Sequence, residues 1–184
     1  MSDMREYYKF YAIYEDDWIT TIAGNTFYRH LVKDYISATC MSTVSSTWVS
    51  GGREFIYPYN IKKKFSLEGV VEGEVLFEAG TISQCSDYRV TVFKINADTT
   101  KTDLATTGVI EILSGHTYPA NDGNSYHFRI DVTEHKDLTE DDRFGMRVEW
   151  DVSGHSTTTA KLQHYNGATV PETWIDLPFL LGSE

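Results

Sequence analysis

Residues 125–152, SYHFRIDVTEHKDLTEDDRFGMRVEWDV, are written with a period of two. Tyr126, Phe128, Ile130 and Val132 alternate with His127, Arg129, Asp131 and Thr133. Further on, Phe144, Met146, Val148, Trp150 and Val152 alternate with Gly145, Arg147, Glu149 and Asp151. Successive side chains of a strand point to opposite faces, so the pattern predicts two half-buried strands. A polar connector, Glu134 to Arg143, separates them. The stretch is expected to form an antiparallel pair with one wet face, as in a layer of a β-sandwich.

The rest of the chain carries the same signals. REYYKFYAIY (5–14) is aromatic on both faces, with Tyr7, Tyr11 and Ile13 on one and Tyr8, Phe10 and Tyr14 on the other. Such a strand needs cover on both sides, from elsewhere in the fold or from a neighbouring subunit. Within 26–36, Phe27, Leu31 and Tyr35 suit a short helix capped by Thr26, and the aromatic content suits a strand equally. Pro58 marks REFIYPYNI as an edge strand or a strand end. Residues 63–80 read as two short strands around Gly69 and Gly73. In DYRVTVFKIN the apolar phase slips at Phe93, the sequence form of a β-bulge. NADTTKTDL is a polar hairpin loop, TTGVIEIL its returning strand, and WIDLPFLL a closing strand with Ile175, Leu177 and Phe179 on one face. Short strands at this spacing predict an all-β fold, a two-sheet antiparallel β-sandwich of jelly-roll type at residues 61–184. Residues 1–60 would form an N-terminal extended arm and edge strands, packed on the body or on a neighbouring subunit.

Charge divides the chain at nearly the same place. Residues 1–64 carry 8 Lys/Arg and 7 Asp/Glu, whereas 65–184 carry 8 and 20. An acidic body repels phosphate backbones, which argues against a nucleic-acid partner. Lys62, Lys63 and Lys64 read as a solvated strand edge. No segment approaches the roughly 18 apolar residues that span a bilayer, and acids come early, so neither a membrane span nor a signal peptide is expected. Cys40 and Cys85 have no metal-site spacing, and spacing alone leaves their redox state open.

Signatures of catalysis are missing: no GxSxG, HExxH, P-loop or GxGxxG occurs. His30, His116, His127, His135, His155 and His164 stand singly, and His127 and His164 should face solvent. Asp16-Asp17 and Asp141-Asp142 are adjacent pairs, solvated rather than arranged as a glycosidase pair. Asn121-Asp122-Gly123-Asn124 lacks the spaced acids of a calcium loop and reads as a turn. No cofactor, metal or catalytic residue is expected. Trp150 shares its face with Met146 and Val148 and belongs in the core.

From about Lys63 to Leu181, the succession FSLEGVVEGEVLFEAG, YRVTVFKINADTTKTDLATT, YHFRIDVTEHKDLTEDDRFGMRVEWDVSG, TAKLQHYNG and WIDLPFLL resembles jelly-roll structural proteins of tailed viruses. The resemblance implies a non-enzymatic virion subunit, a capsid decoration or head, neck or tail-associated protein. Such a subunit would be assembled in the host cytoplasm, with itself and other virion proteins as partners. Its assembly contacts would be Tyr7, Tyr8, Phe10, Tyr11 and Tyr14, with Trp18 as an anchor. Deleting residues 1–14 would then abolish assembly and leave a folded body. The alternative is a carbohydrate-binding jelly-roll module, binding a host-surface glycan on Trp48, Tyr118, Tyr165 and Trp174. A third reading, a cupin-like metal enzyme, requires several of the histidines to converge.

Overall fold

The computed structural model describes residues 5–14, 17–33, 41–44, 52–79, 87–111, 124–151, 160–163 and 173–181. These form fourteen strands: β1 (Arg5–Tyr14), β2 (Thr20–Ile22), β3 (Asn25–Phe27), β4 (Arg29–Val32), β5 (Met41–Val44), β6 (Arg53–Ile56) and β7 (Phe65–Ala79), followed by β8 (Asp87–Ile95), β9 (Lys101–Thr106), β10 (Ile110–Glu111), β11 (Asn124–Leu138), β12 (Arg143–Asp151), β13 (Ala160–Gln163) and β14 (Trp174–Leu181). No helix occurs among the described residues. The ambiguous segment after Gly24 is therefore strand as far as Val32, and Tyr35 lies outside the described residues.

Twelve strands form one sheet, in which β8, β12, β6, β4, β1, β14 and β7 follow one another. All its pairings are antiparallel except a single parallel bridge between β4 and β6, His30 to Ile56. At one end β9 and β10 flank β8; at the other β11 flanks β7, and β13 continues to β5. The sheet curls until β9 lies alongside β11, with no hydrogen-bonded ladder between them among the described residues. The Tyr88 hydroxyl donates to the His127 carbonyl at 3.1 Å across this seam. The architecture is thus a large, nearly closed barrel with the two-stranded β2–β3 sheet beside it, and the two separate layers of the expected sandwich give way to one continuous path.

The inward face expected for residues 125–152 holds as far as Trp150, Val152 lying outside the described residues, but the pairing does not. Phe128, Ile130 and Val132 are buried, as are Phe144, Met146, Val148 and Trp150. Yet β11 pairs with β7 and β12 with β8 and β6, so the two halves lie in different parts of the sheet. The connector is also shorter than expected, because β11 runs on to Leu138. A turn follows, in which Asp142 accepts hydrogen bonds from the Thr139 amide (2.8 Å) and hydroxyl (3.0 Å). The carboxylate pair at 141–142 is accordingly a turn device, with Lys94 Nζ 3.4 Å from Asp142.

β7 is one strand of 15 residues rather than two. Gly73 makes room rather than a turn: a Cβ there would meet the Trp174 carbonyl and lie 2.7 Å from the Phe128 ring. Gly69, at φ 121°, pairs with Val132 where the β7–β11 register shifts. The phase change at Phe93 is not a bulge in β8: Tyr88, Val90 and Val92 face the main core, Phe93 and Ile95 face an outer cluster, and the β8–β12 register runs unbroken. The extra residue in the β8–β9 pairing is Leu104 of β9. The returning strand begins earlier than TTGVIEIL, at Lys101. β6 stops before Pro58, as proline requires. Pro178, which lacks an N–H, sits at a register shift between β14 and β7.

β1 is not an arm. It pairs with β14 from Arg5 to Tyr11 and with β4 from Tyr11 to Tyr14, which places it inside the sheet. Its inner face and the far end of its outer face are covered within the chain, while Tyr7 stays exposed. Phe10 and Ala12 enter the main core, while Ile13 packs with Val32, Tyr11 and Trp18 on the outside. The β2–β3 hairpin adds Ile22 and Phe27 over Ile56, Phe93 and Ile95. Burying each large side chain contributes roughly 2–3 kcal/mol, so this aromatic strand is a principal source of stability. Ile175, Leu177 and Phe179 of β14 are buried as expected.

Candidate functional site

One end of the barrel carries an open cavity of about 290 Å³. Its wall is aromatic. Phe10 of β1, Phe144 of β12 and Phe179 of β14 meet edge to face, with centroids 5.1 Å (Phe10–Phe144) and 5.5 Å (Phe144–Phe179) apart. Tyr57 stacks on Phe144 at 4.8 Å, and Phe65 of β7 lies 4.3 Å from Phe179. These residues come together because their strands turn the same face to the barrel interior at the same end.

The segment after β6 forms the other side, and β12 holds it in place. The Tyr57 amide donates to the Phe144 carbonyl (2.8 Å) and the Ile61 amide to the Asp142 carbonyl (2.9 Å). The Arg143 guanidinium donates to the Pro58 carbonyl. Burial, with Tyr59 nearby, pushes the Tyr57 phenol up, so it keeps its proton at neutral pH.

The rim carries cations. Among the described residues, Lys33, Lys62 and Lys63 line the cavity and no Asp or Glu does, in a chain with 27 acids and 16 Lys/Arg. Lys33 Nζ lies 3.8 Å from the centre of the Tyr8 ring. The nearby Lys64 is paired with Asp137 at 3.1 Å. A hydrogen bond to Glu6, then burial, raise the Tyr8 phenol.

The residues singled out in the sequence separate in the structure. Tyr8 and Phe10 line this cavity. Tyr7 is 57% exposed, and Tyr11 and Trp18 join the small outer cluster. Tyr14 ends β1 opposite Arg29. Of the proposed sugar platform only Trp174 is described; Trp48, Tyr118 and Tyr165 lie outside the described residues. Trp174 is half-buried, with Lys9 Nζ 3.8 Å over its ring and its indole nitrogen 3.3 Å from Glu74. Cys40, Cys85, His116, His155, His164 and Asn121 to Gly123 also lie outside the described residues.

Two other polar features have structural roles. Glu149, only 8% exposed, is held by Arg89 at 2.8 Å, and Arg147 lies 3.0 Å from Asp103. This network ties β8, β9 and β12 together on the outer face. His127 is exposed, as expected, and no group of three potential metal ligands occurs among the described residues. No helix there is long and apolar enough to cross a membrane. The cavity was not visible in the sequence, because its wall draws on residues 8, 10, 57, 65, 144 and 179. Lys62 and Lys63 were the available signal.

No protein-family model matches the chain, and no curated protein matches it. Solved structures do. A CocE/NonD family hydrolase from Staphylococcus aureus superimposes with a TM-score of 0.68 at 11% identity, covering 96% of this chain and 37% of that one. An aminopeptidase from a marine sediment Thaumarchaeota archaeon gives 0.65 at 10% identity, with 96% and 37% covered. An α-amino acid ester hydrolase gives 0.53 at 10% identity, with 70% and 25% covered. The chain therefore spans about a third of the length of the first two hydrolases. At such identities the likeness is one of fold.

This finding overturns the reading as a non-enzymatic virion subunit and the glycan-module alternative attached to it. The all-β fold observed here is one that hydrolases contain. The exclusion of enzymatic work rested on missing short motifs, and it falls with that reading.

Proposed function

We propose that the chain serves as the β-domain of a hydrolase acting on ester or aminoacyl bonds. The observation that carries this reading is that nearly the whole chain superimposes on about a third of two differently named hydrolases. The local chemistry agrees with it. A rigid barrel that holds an aromatic cavity open at one end suits a domain that positions one part of a substrate while bond cleavage occurs beside it. In this reading the barrel is a flattened jelly roll, in which β11 and β12 pass consecutively from one side to the other without pairing.

The test uses the full chain, tagged and returned to an extract of the cells that make it. The chain alone, and whatever it retains, are assayed against p-nitrophenyl esters and aminoacyl p-nitroanilides. Hydrolysis that follows the chain through isolation, and that the tag alone does not retain, is the expected result. If neither the chain nor its retained material cleaves either class, the reading fails.

A further inference from the structure

We propose that the seam between β9 and β11 is a strand-addition site, where an extended segment of a partner protein hydrogen-bonds to the free edge of β11 and fits one apolar side chain into the gap. The proposal rests on the seam alone and stands apart from the hydrolase reading.

Backbone hydrogen bonding sets the first limit. β11 has a ladder to β7 and β9 has one to β8, and neither has a second ladder among the described residues. Main-chain groups of alternate residues in a strand point to the same edge. The His127 carbonyl points across the seam to the Tyr88 hydroxyl, so the N–H and C=O of Arg129 and Asp131 point there too. They meet no main-chain partner there among the described residues. Such an edge is a template for one more strand.

Burial sets the second limit. Leu104, Ile130 and Val132 are 8%, 7% and 6% exposed, whereas every other buried member of the main core is at 5% or less. All three line an open cavity of about 170 Å³ between β9 and β11. The core is thus thinnest where the barrel fails to close. A cavity of about 150 Å³ holds one benzene ring, so this one takes a single valine or leucine side chain.

Spacing and charge define the segment. An inserted strand needs about 9.6 Å between its two neighbours. The Cα atoms of β9 and β11 approach within 8 Å, so the seam must widen by roughly 2 Å at its narrowest. The Tyr88–His127 bond bounds the site at one end, and the register shift after Val132 bounds it at the other. On the outer face Arg129 and Asp131 pair with each other at 2.9 Å while more than half exposed. An antiparallel segment with an acid opposite Arg129 and a base opposite Asp131 would extend that pair across the strands. Its residue opposite Ile130 would be the apolar one that enters the cavity.

The experiment titrates the capped heptapeptide Thr-Val-Lys-Val-Glu-Val-Thr into the full chain and follows backbone amides by shift and by hydrogen exchange. Without peptide, the Arg129 and Asp131 amides should exchange rapidly. With it, shifts centred on 104–106 and 129–133 should saturate in the micromolar to millimolar range. Exchange at Arg129 and Asp131 should then slow about tenfold or more. The same peptide N-methylated at Lys and Glu, whose N–H groups would face β11, should bind about tenfold more weakly. Asp131→Pro removes a donor that faces the seam and spares the β7 ladder, as proline does on an edge. It should weaken the peptide by a similar factor, with its thermal transition as the check on folding. The N-methylated peptide tests the same bonds on the unaltered protein. Arg129 and Asp131 amides already protected before peptide is added would mean that another part of the chain fills the seam, which would overturn the proposal. No saturable shift, shifts centred elsewhere, equal binding of the N-methylated peptide, or indifference to Asp131→Pro would each overturn it as well. Hydrolysis does not enter the readout, so the seam and the proposed function fail separately.

Discussion

His30 is fully buried, stacked on Trp18 at 4.5 Å with Nε2 3.0 Å from the Thr20 hydroxyl. Its Nδ1 has no hydrogen-bond partner among the described residues. Nothing there welcomes a second proton, and burial pushes its pKa from 6.5 down to about 4. Between those values the unfolded chain binds a proton that the folded one refuses. The stabilisation is therefore fully present above about pH 6.5 and is lost as pH falls towards 4, an effect on the order of 3 kcal/mol. Urea midpoints measured across this window should fall with pH, and more steeply in the native protein than in His30→Gln, whatever the variant's stability at pH 7. Gly73 shows the opposite sensitivity, to volume alone. Gly73→Ala forces a methyl against the Trp174 carbonyl and the Phe128 ring and should cost about 2–3 kcal/mol at every pH. Denaturant melts should show the shift with an unchanged slope.

Among the elements, β1 has the role most different from the one its sequence suggested. Two-faced aromatic writing at 5–14 signalled a strand needing two covers, and that much was legible. Which cover it meets was not, because the partners β4 and β14 lie about twenty and a hundred and seventy residues away. The same division runs through the fold. Alternation placed the buried faces of β11, β12 and β14, a local property of the backbone, whereas the phase change at Phe93 was misread as a bulge because β8 is covered on both faces. Pairing between β11 and β12 was wrongly inferred from their adjacency. Gly69 and Gly73 were read as breaks, because a sequence does not distinguish a glycine that turns from one that yields space. Deleting residues 5–14 should consequently unfold the protein rather than release folded monomers. It would strip β14 and β4 of a shared neighbour and open the core at Phe10. Loss of cooperative melting and of dispersed amide signals would show this; a truncated chain that melts cooperatively would contradict the interior placement.

Across the whole molecule, charge and curvature act on different parts. The chain carries a net charge of −11 while three lysines stand over the aromatic cavity at one end, and a second aromatic cluster of Phe77, Tyr88, Tyr126 and Trp150 packs elsewhere in the barrel. Closure depends on pairings distant in sequence, β1 with β14 and β12 with β6. Folding should accordingly take milliseconds to seconds, as expected for such topologies, and stopped-flow refolding measures it. The β1–β14 pair has a mechanical consequence as well. Arg5 lies opposite Leu180 and Tyr11 opposite Trp174, so the outer ends of both strands emerge side by side. A force separating them would load the cross-strand bonds one at a time, like a zipper, instead of all together in shear. A barrel that is rigid around its cavity should therefore yield to a weak pull at residues 5 and 181, and resist a stronger one applied across β7 and β11.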